Sequence, residues 1–319
     1  MTSSRRRRAF ALAVSLFTPV ALVACGSSSP KASTPASSAA PASAASTVTP
    51  STVAPVAAST TVAALPSGKP AAIVSLSPTA TEILFAIGAG PQVIAVDDQS
   101  NYPPEAPKTD LSGFTPNVEA IVAKKPDLVV IADDTAKLAD ALGKLDIKVI
   151  VQPSATTLAD TYAQIGDLGV ATGHADQAAT LASKMKADLA DLAAKAPKVK
   201  QRIYHEVDNT FFSASSTSFI GQIYGLFGLE NIADAADKDK TGYPQLSPEY
   251  IFQANPQIIF LADTKCCQQD AKAVAARPGW NAIDAVNKGK IVALDDDTAS
   301  RWGPRVVDFA RTVASTLGG

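Results

Sequence analysis

Histidine is nearly absent from this chain of 319 residues, with only His174 and His205 present. Sites for free zinc or manganese usually draw on several imidazoles, so a receptor for bare metal ions is disfavoured. Cysteine is almost as scarce, at three residues: Cys25 and the adjacent pair Cys266 and Cys267. A structural zinc site wants four ligands and a redox motif wants C-x-x-C at a helix start, so the pair fits neither pattern. In an exported chain a vicinal disulfide at Cys266 and Cys267, a bond between molecules and two free thiols all remain open, with a local structural role preferred over redox chemistry. Basic residues form no stripe beyond the N-terminal Arg5 to Arg8, and the formal net charge is −2; nucleic acid is therefore not an expected partner. No G-x-S-x-G, Walker loop or H-E-x-x-H occurs, which removes the common hydrolase and nucleotide-binding signatures. The acidic run Asp295-Asp296-Asp297 lacks the spacing and glycine of an EF-hand loop and reads as a solvated strand end.

The N-terminus is MTSSRRRR followed by an apolar run from Ala9 to about Ala21 and then Leu22-Val23-Ala24-Cys25. That run is shorter than the roughly 20 residues of a bilayer-spanning helix, and its order matches an export signal over 1–24. Leu-Val-Ala-Cys resembles a bacterial lipobox, which implies cleavage before Cys25 and attachment of the chain to the outer face of the cell membrane through lipid on that thiol. Residues 25–68 are rich in Ser, Ala, Thr and Pro, with Lys31 the only charge. Such a segment buries too little apolar surface to offset its ordering entropy and is expected to be a disordered tether.

The remainder contains one unit twice. NVEAIVAKKPDLVVIAD (Asn117 to Asp133) and SPEYIFQANPQIIFLAD (Ser247 to Asp263) align at a constant offset of 130 residues, Glu119 on Glu249 and Pro126 on Pro256. Each reads as a short helix stopped at a proline, followed by an unbroken apolar run, LVVIA or IIFLA. Unbroken runs suit parallel strands covered on both faces. The expected fold is therefore α/β, with two similar lobes and a cleft, and ligands of such sheets bind beyond the carboxyl ends of the strands.

Other segments fill in the two lobes. Ala72 to Leu76 is a strand and Ser77-Pro78 a helix start; Val93 to Val96 and Lys148 to Val151 are further strands. Leu158 to Lys195 is helical with a break near Gly173, and Ala175 to Ala194 has apolar residues at helical spacing with no Gly or Pro. These boundaries divide the chain into a first lobe at 69–172, a linking helix at 173–198 and a second lobe at 199–319. The second lobe has strands at Arg202 to Val207 and Lys290 to Leu294, and a last helix from about Pro304 to Leu317. Tyr204-His205-Glu206 is the nearest thing to a catalytic triad, but consecutive strand residues point to opposite faces and do not converge. No enzyme activity and no catalytic residue is expected.

Several segments together resemble the substrate-binding proteins of ABC importers for cobalamin and ferric siderophores. They are IVSLSPTATEILFAIGAG, SNYPPEA, VEAIVAKKPDLVV, YPQLSPEYIFQANPQIIF, and RPGWNAIDAVNKGKIVALDDD followed by GPR. The resemblance implies two Rossmann-like lobes with parallel sheets joined by one long spine helix, the class III periplasmic-binding arrangement. It also implies a metal chelate bound between the lobes, corrinoid or ferric siderophore, and a partner permease. No cofactor of the protein's own and no resident metal is implied. By the same resemblance Glu119 and Glu249 would dock on arginines of the permease. Position after strands nominates Ser77, Asp98, Tyr102 and Phe114 from the first lobe, with Asp208, Phe211, Phe212, Asp263, Arg301 and Trp302 from the second. The aromatics are open to ligand stacking or core packing; Arg301 is open to pairing a chelate or the acidic run beside it. A surface lipoprotein of the same fold that signals or scaffolds without transport is the alternative reading.

Overall fold

The computed structural model describes residues 68–134 and 137–318. The expected export signal at 1–24, Cys25 and the tether, Gly68 apart, lie outside the described residues. The first lobe runs β1 (Ile73–Leu76), α1 (Pro78–Ala86), β2 (Val93–Val96), α2 (Val118–Val122), β3 (Leu128–Ile131), α3 (Leu138–Gly143) and β4 (Lys148–Val151). Two longer helices follow, α4 (Leu158–Thr172) and α5 (Ala175–Lys195). The second lobe runs β5 (Arg202–Glu206), α6 (Phe219–Gly225), β6 (Glu230–Asn231), α7 (Pro248–Ala254), β7 (Ile258–Leu261), α8 (Ala271–Ala275), α9 (Asp284–Asn287), β8 (Ile291–Ala293), α10 (Asp296–Ser300) and α11 (Val306–Gly318).

Both lobes carry a four-stranded parallel sheet of the same order, β2-β1-β3-β4 and β6-β5-β7-β8. The repeat reaches further than its sequence signature. Ile73 pairs with Leu128 in the first sheet and Ile203 with Ile258 in the second, so the 130-residue offset covers the strand pair β1–β3 as well as the helix before β3. Asn117 and Ser247 cap α2 and α7, each side chain accepting the N–H of the residue three further on. Each helix gives way to a residue with positive φ directly before its proline, Lys125 at 54° and Asn255 at 45°.

The sheets are buried on both faces, which explains the unbroken apolar strands. Alternate residues serve two layers. Ile73, Val130, Ile203 and Phe260 join one core that continues through Met185 and Leu189 of α5 and Phe309 and Val313 of α11. Their neighbours face outward into a separate core in each lobe, Val74 and Val129 in the first, Tyr204 and Ile259 in the second. Tyr204 and His205 accordingly part company: Tyr204 packs against Trp280, while His205 Nδ1 bonds the Tyr224 hydroxyl at 2.8 Å.

The spine helix α5 spans 21 residues and has α4 folded back against it at Gly173, whose φ of 75° ends α4. Gly169 permits the close approach, since a Cβ there would lie 2.4 Å from that of Ala178. One sequence expectation changes. The acidic run is not a solvated loop, because Asp295 caps α10 by accepting the Thr298 N–H. The long connecting helix is as expected, and it is reinforced by contacts: α11 packs beside α5, and Arg301 and Arg305 reach across to Glu82 of α1.

Candidate functional site

A cavity of about 390 Å³ opens beyond the carboxyl ends of the first lobe's strands. Leu76 and Ser77 follow β1, Asp97 follows β2, Ala132 and Asp133 follow β3, and Ser154 lies past β4; Asp297, Ser300, Arg301 and Trp302 close the other side. The position is the one that parallel α/β sheets use for ligands. Ser77 is fixed as the N-cap of α1, where it accepts the Ala80 N–H and Pro78 takes the first helical position. Gly113 lets the 112–116 loop lie against the strand ends: a Cβ there would fall 2.7 Å from Asp97 Oδ2 and 2.8 Å from the Leu76 carbonyl. The next residue, Phe114, lines the cavity with 84% of its surface exposed, an unsatisfied apolar face of the kind that marks a binding surface. Trp302 also lines the cavity, and its indole N–H donates to Gln164 Oε1 at 2.9 Å.

Arg301 is buried, and all four of its terminal N–H groups are used. Nη1 donates to Glu82 Oε1 at 2.9 Å and Asn101 Oδ1 at 3.0 Å; Nη2 donates to the Gln99 carbonyl at 3.0 Å and Asp297 Oδ1 at 2.8 Å. Glu82, whose side chain is 1% exposed, also takes Arg305 through Nε at 2.9 Å and Nη2 at 2.6 Å. Of the two roles open to Arg301, pairing with the acidic run is the one realised, with Glu82 as a second anion. Asp97, beneath it, accepts from the Ser100 hydroxyl, and burial pushes its carboxyl above the usual range.

Four of the ten nominated residues, Ser77, Phe114, Arg301 and Trp302, meet at this cavity. Asp98 lines a separate depression beside the proline loop. Tyr102 stacks under Arg305, 4.4 Å from ring centre to guanidinium, on a third surface. Asp208 is spent on its own turn, accepting from the N–H and hydroxyl of Thr210. Phe211 packs against the second lobe's outer core beside Trp280, a core role with the ring stacked near Arg277. Phe212 is 37% exposed, next to an isolated bridge to Gln245. Asp263 is fully buried at the end of β7, away from the cavity.

Asp263 belongs to a second group that the sequence did not reveal. Arg277 holds Glu206 in a two-pronged pair, Nη1 to Oε2 at 2.6 Å and Nη2 to Oε1 at 2.5 Å, and also donates to Gln269. Among the described residues neither carboxyl oxygen of Asp263 meets a donor. Burial first, and the adjacent Glu206 charge second, push its carboxyl up to about 7. The loop that follows carries Cys266 and Cys267, both free thiols. Asp296 accepts the backbone N–H groups of Thr264, Lys265 and Cys266 and so holds the turn that carries the pair.

The signals for the missed cavity residues were partly present. Asp133 stands opposite Asp263 in the repeat, and the repeat alone could have nominated it; Asp97 is the neighbour of the nominated Asp98, and only the side-chain direction separates them. Nothing in the sequence tied Glu82 to Arg301 and Arg305, more than 200 positions away.

Two parallel-sheet lobes, a single long connecting helix and a cavity at the strand ends define a two-lobed binding protein of the class III periplasmic type. A family model described as periplasmic binding protein matches residues 73–298, and the chain belongs to that family. It is 31% identical over 260 residues to the uncharacterized ABC transporter substrate-binding lipoprotein YvrC of Bacillus subtilis, covering 78% of this chain and 80% of that one. A vitamin B12-binding protein of Pectobacterium carotovorum is 29% identical over 256 residues, covering 78% and 88%. A solved structure of a possible iron-binding periplasmic protein from Staphylococcus epidermidis superposes with a TM-score of 0.69 at 25% identity, covering 79% of this chain and all of that one.

Proposed function

We propose that the protein is an extracytoplasmic, lipid-anchored substrate-binding protein that captures a metal chelate, corrinoid or ferric siderophore, and delivers it to an ABC importer. The observation that carries this reading is the cavity at the strand ends, whose lining includes the aromatic residues Phe114 and Trp302. Such faces suit the flat or lobed surface of a chelate. The names of the relatives point the same way, toward vitamin B12 in one and iron in another. Ser77 and Arg301 complete the binding wall, and no bond is made or broken.

Glu119 and Glu249 are the permease contacts in this reading. Each sits in the first turn of its repeat helix and is exposed, and neither joins a salt bridge among the described residues. Two exposed carboxylates at matching places on two rigidly tied lobes suit a partner with two-fold symmetry. Lipid on Cys25 would keep the protein at the membrane outer face, near that partner.

The test is a titration of the full chain with cyanocobalamin and with ferric hydroxamate and catecholate chelates, followed by tryptophan fluorescence and by calorimetry. Trp302 is the reporter, since Trp280 lies 2% exposed in the second lobe's outer core. Saturable quenching at micromolar or tighter affinity, lost in Trp302→Phe while calorimetric binding persists, is the expected result. No heat from any chelate would overturn the reading.

A further inference from the structure

We infer that the cavity takes a neutral or cationic chelate and discriminates against polyanionic ones; this rests on the binding reading above and names the charge class of its ligand. The inference comes from how the charges around the space are already used. Arg301 is the only cation among the described residues that line it, against three carboxylates: Asp97, Asp133 and Asp297, the last of which is itself paired with Arg301. Its terminal N–H groups are committed to Glu82, Asn101, the Gln99 carbonyl and Asp297, so it has no paired donors to turn toward an incoming anion. Two further cations near this wall are committed as well: Arg305 to Glu82, and Lys265 to Asp295 and Asp297 at 2.6 and 2.8 Å.

The one helix start at the cavity does little to fill the gap. The N-terminus of α1 borders the space, but two of its first N–H groups are lost to a ligand, since Pro78 has none and Ser77 Oγ already accepts that of Ala80, so this helix start offers fewer donors than an anion-binding one. Asp97 supplies an ionised carboxylate or a neutral carboxyl and in neither form a positive charge. A polyanionic chelate entering this wall meets like charge in a partly desolvated site, the arrangement by which binding sites reject wrong partners. A neutral or cationic chelate meets acceptors and two aromatic faces, and a cation gains from the ring faces as well.

The test is calorimetric titration of the full chain with four probes: a trianionic ferric tris-catecholate, a neutral ferric tris-hydroxamate, a cationic ferric tris-hydroxamate and cyanocobalamin. The expected result is that a neutral or cationic probe binds at least ~100-fold more tightly than the trianion. The gap should shrink by about tenfold in ~1 M salt, where the repulsion is screened, and also in Asp133→Asn. A trianion that binds as tightly as the others, or a gap that salt does not move, overturns the charge inference and leaves the binding reading standing. Failure of all four probes overturns the binding reading itself.

Discussion

The two lobes share a strand order, a helix cap and a 130-residue register, yet the ends of their equivalent strands hold different chemistry. In the first lobe β1 ends in Leu76 and Ser77 and β3 in Ala132 and Asp133, all lining open space. The matching places in the second lobe are Glu206, Val207, Ala262 and Asp263, where a buried ion group of Glu206 and Arg277 fills the position. A backbone repeat therefore conserves the frame while the residue at a strand end decides whether the frame encloses a cavity or a charge. The helices before β3 and β7, by contrast, stay alike down to the exposure of Glu119 and Glu249, as a pair of matched contacts would require.

The sharpest way to exploit that likeness is to reverse both glutamates. Glu119→Lys with Glu249→Lys is expected to abolish cellular uptake of the bound ligand while calorimetric affinity stays within about twofold, since loss of two charge-assisted contacts acts on docking alone. Unchanged uptake in the double variant would remove the docking assignment.

The unlikeness is tested next. Arg277→Leu strands the buried Glu206 carboxylate beside Asp263 and is expected to cost about 3–5 kcal/mol in denaturant unfolding. The matching place in the first lobe holds no such pair, because Leu76 stands where Glu206 does. A loss below 1 kcal/mol would show that the pair is solvated and the two lobes more alike than described.

A subtler contrast is in pH. The Asp263 carboxyl stands at about 7 in the folded chain against the ordinary value of 3.8. Between those values the folded state holds a proton that the unfolded state has released, so the contribution is complete below about pH 4 and is lost as pH rises to about 7. The slope reaches at most ~1.4 kcal/mol per pH unit. Asp263→Asn, which cannot ionise, should remove that component, so that the stability difference between variant and parent changes steeply from pH 5 to 7 and levels off above about pH 8. A constant difference across the range would show that no proton is held there.

The smallest effect concerns the residue before each repeat proline. Asn255 tolerates its positive φ better than Lys125 does, since asparagine is several-fold enriched in that region. Lys125→Asn should raise stability by about 0.5–1 kcal/mol, measured by the same denaturation; no gain would mean that Lys125 contributes something its partner does not.

Much of this frame is legible in the chain itself. Unbroken apolar runs announce strands covered on both faces, and Ser77-Pro78, Asn117 and Ser247 announce helix starts, because caps and strand burial are local properties of a few neighbouring residues. The candidate site was legible only in part. Ser77, Phe114, Arg301 and Trp302 were found because they follow strands or stand in recognisable segments, whereas Tyr102, Phe211 and Asp263 obeyed the same rule and turned elsewhere. Side-chain direction after a strand depends on the loop's path, and the path of the 112–116 loop is set by its contact with Leu76 and Asp97, far away in sequence.

By itself, then, the sequence determined the two-lobed α/β plan, the register of the repeat and the place of the long helix α5, since each follows from periodicity and short-range steric rules. Tertiary structure alone decided that Arg301 answers to Glu82, and that Glu206 and Asp263 share a buried corner. The strength of a charge interaction depends on distance and on exclusion of water, and only the folded chain fixes either.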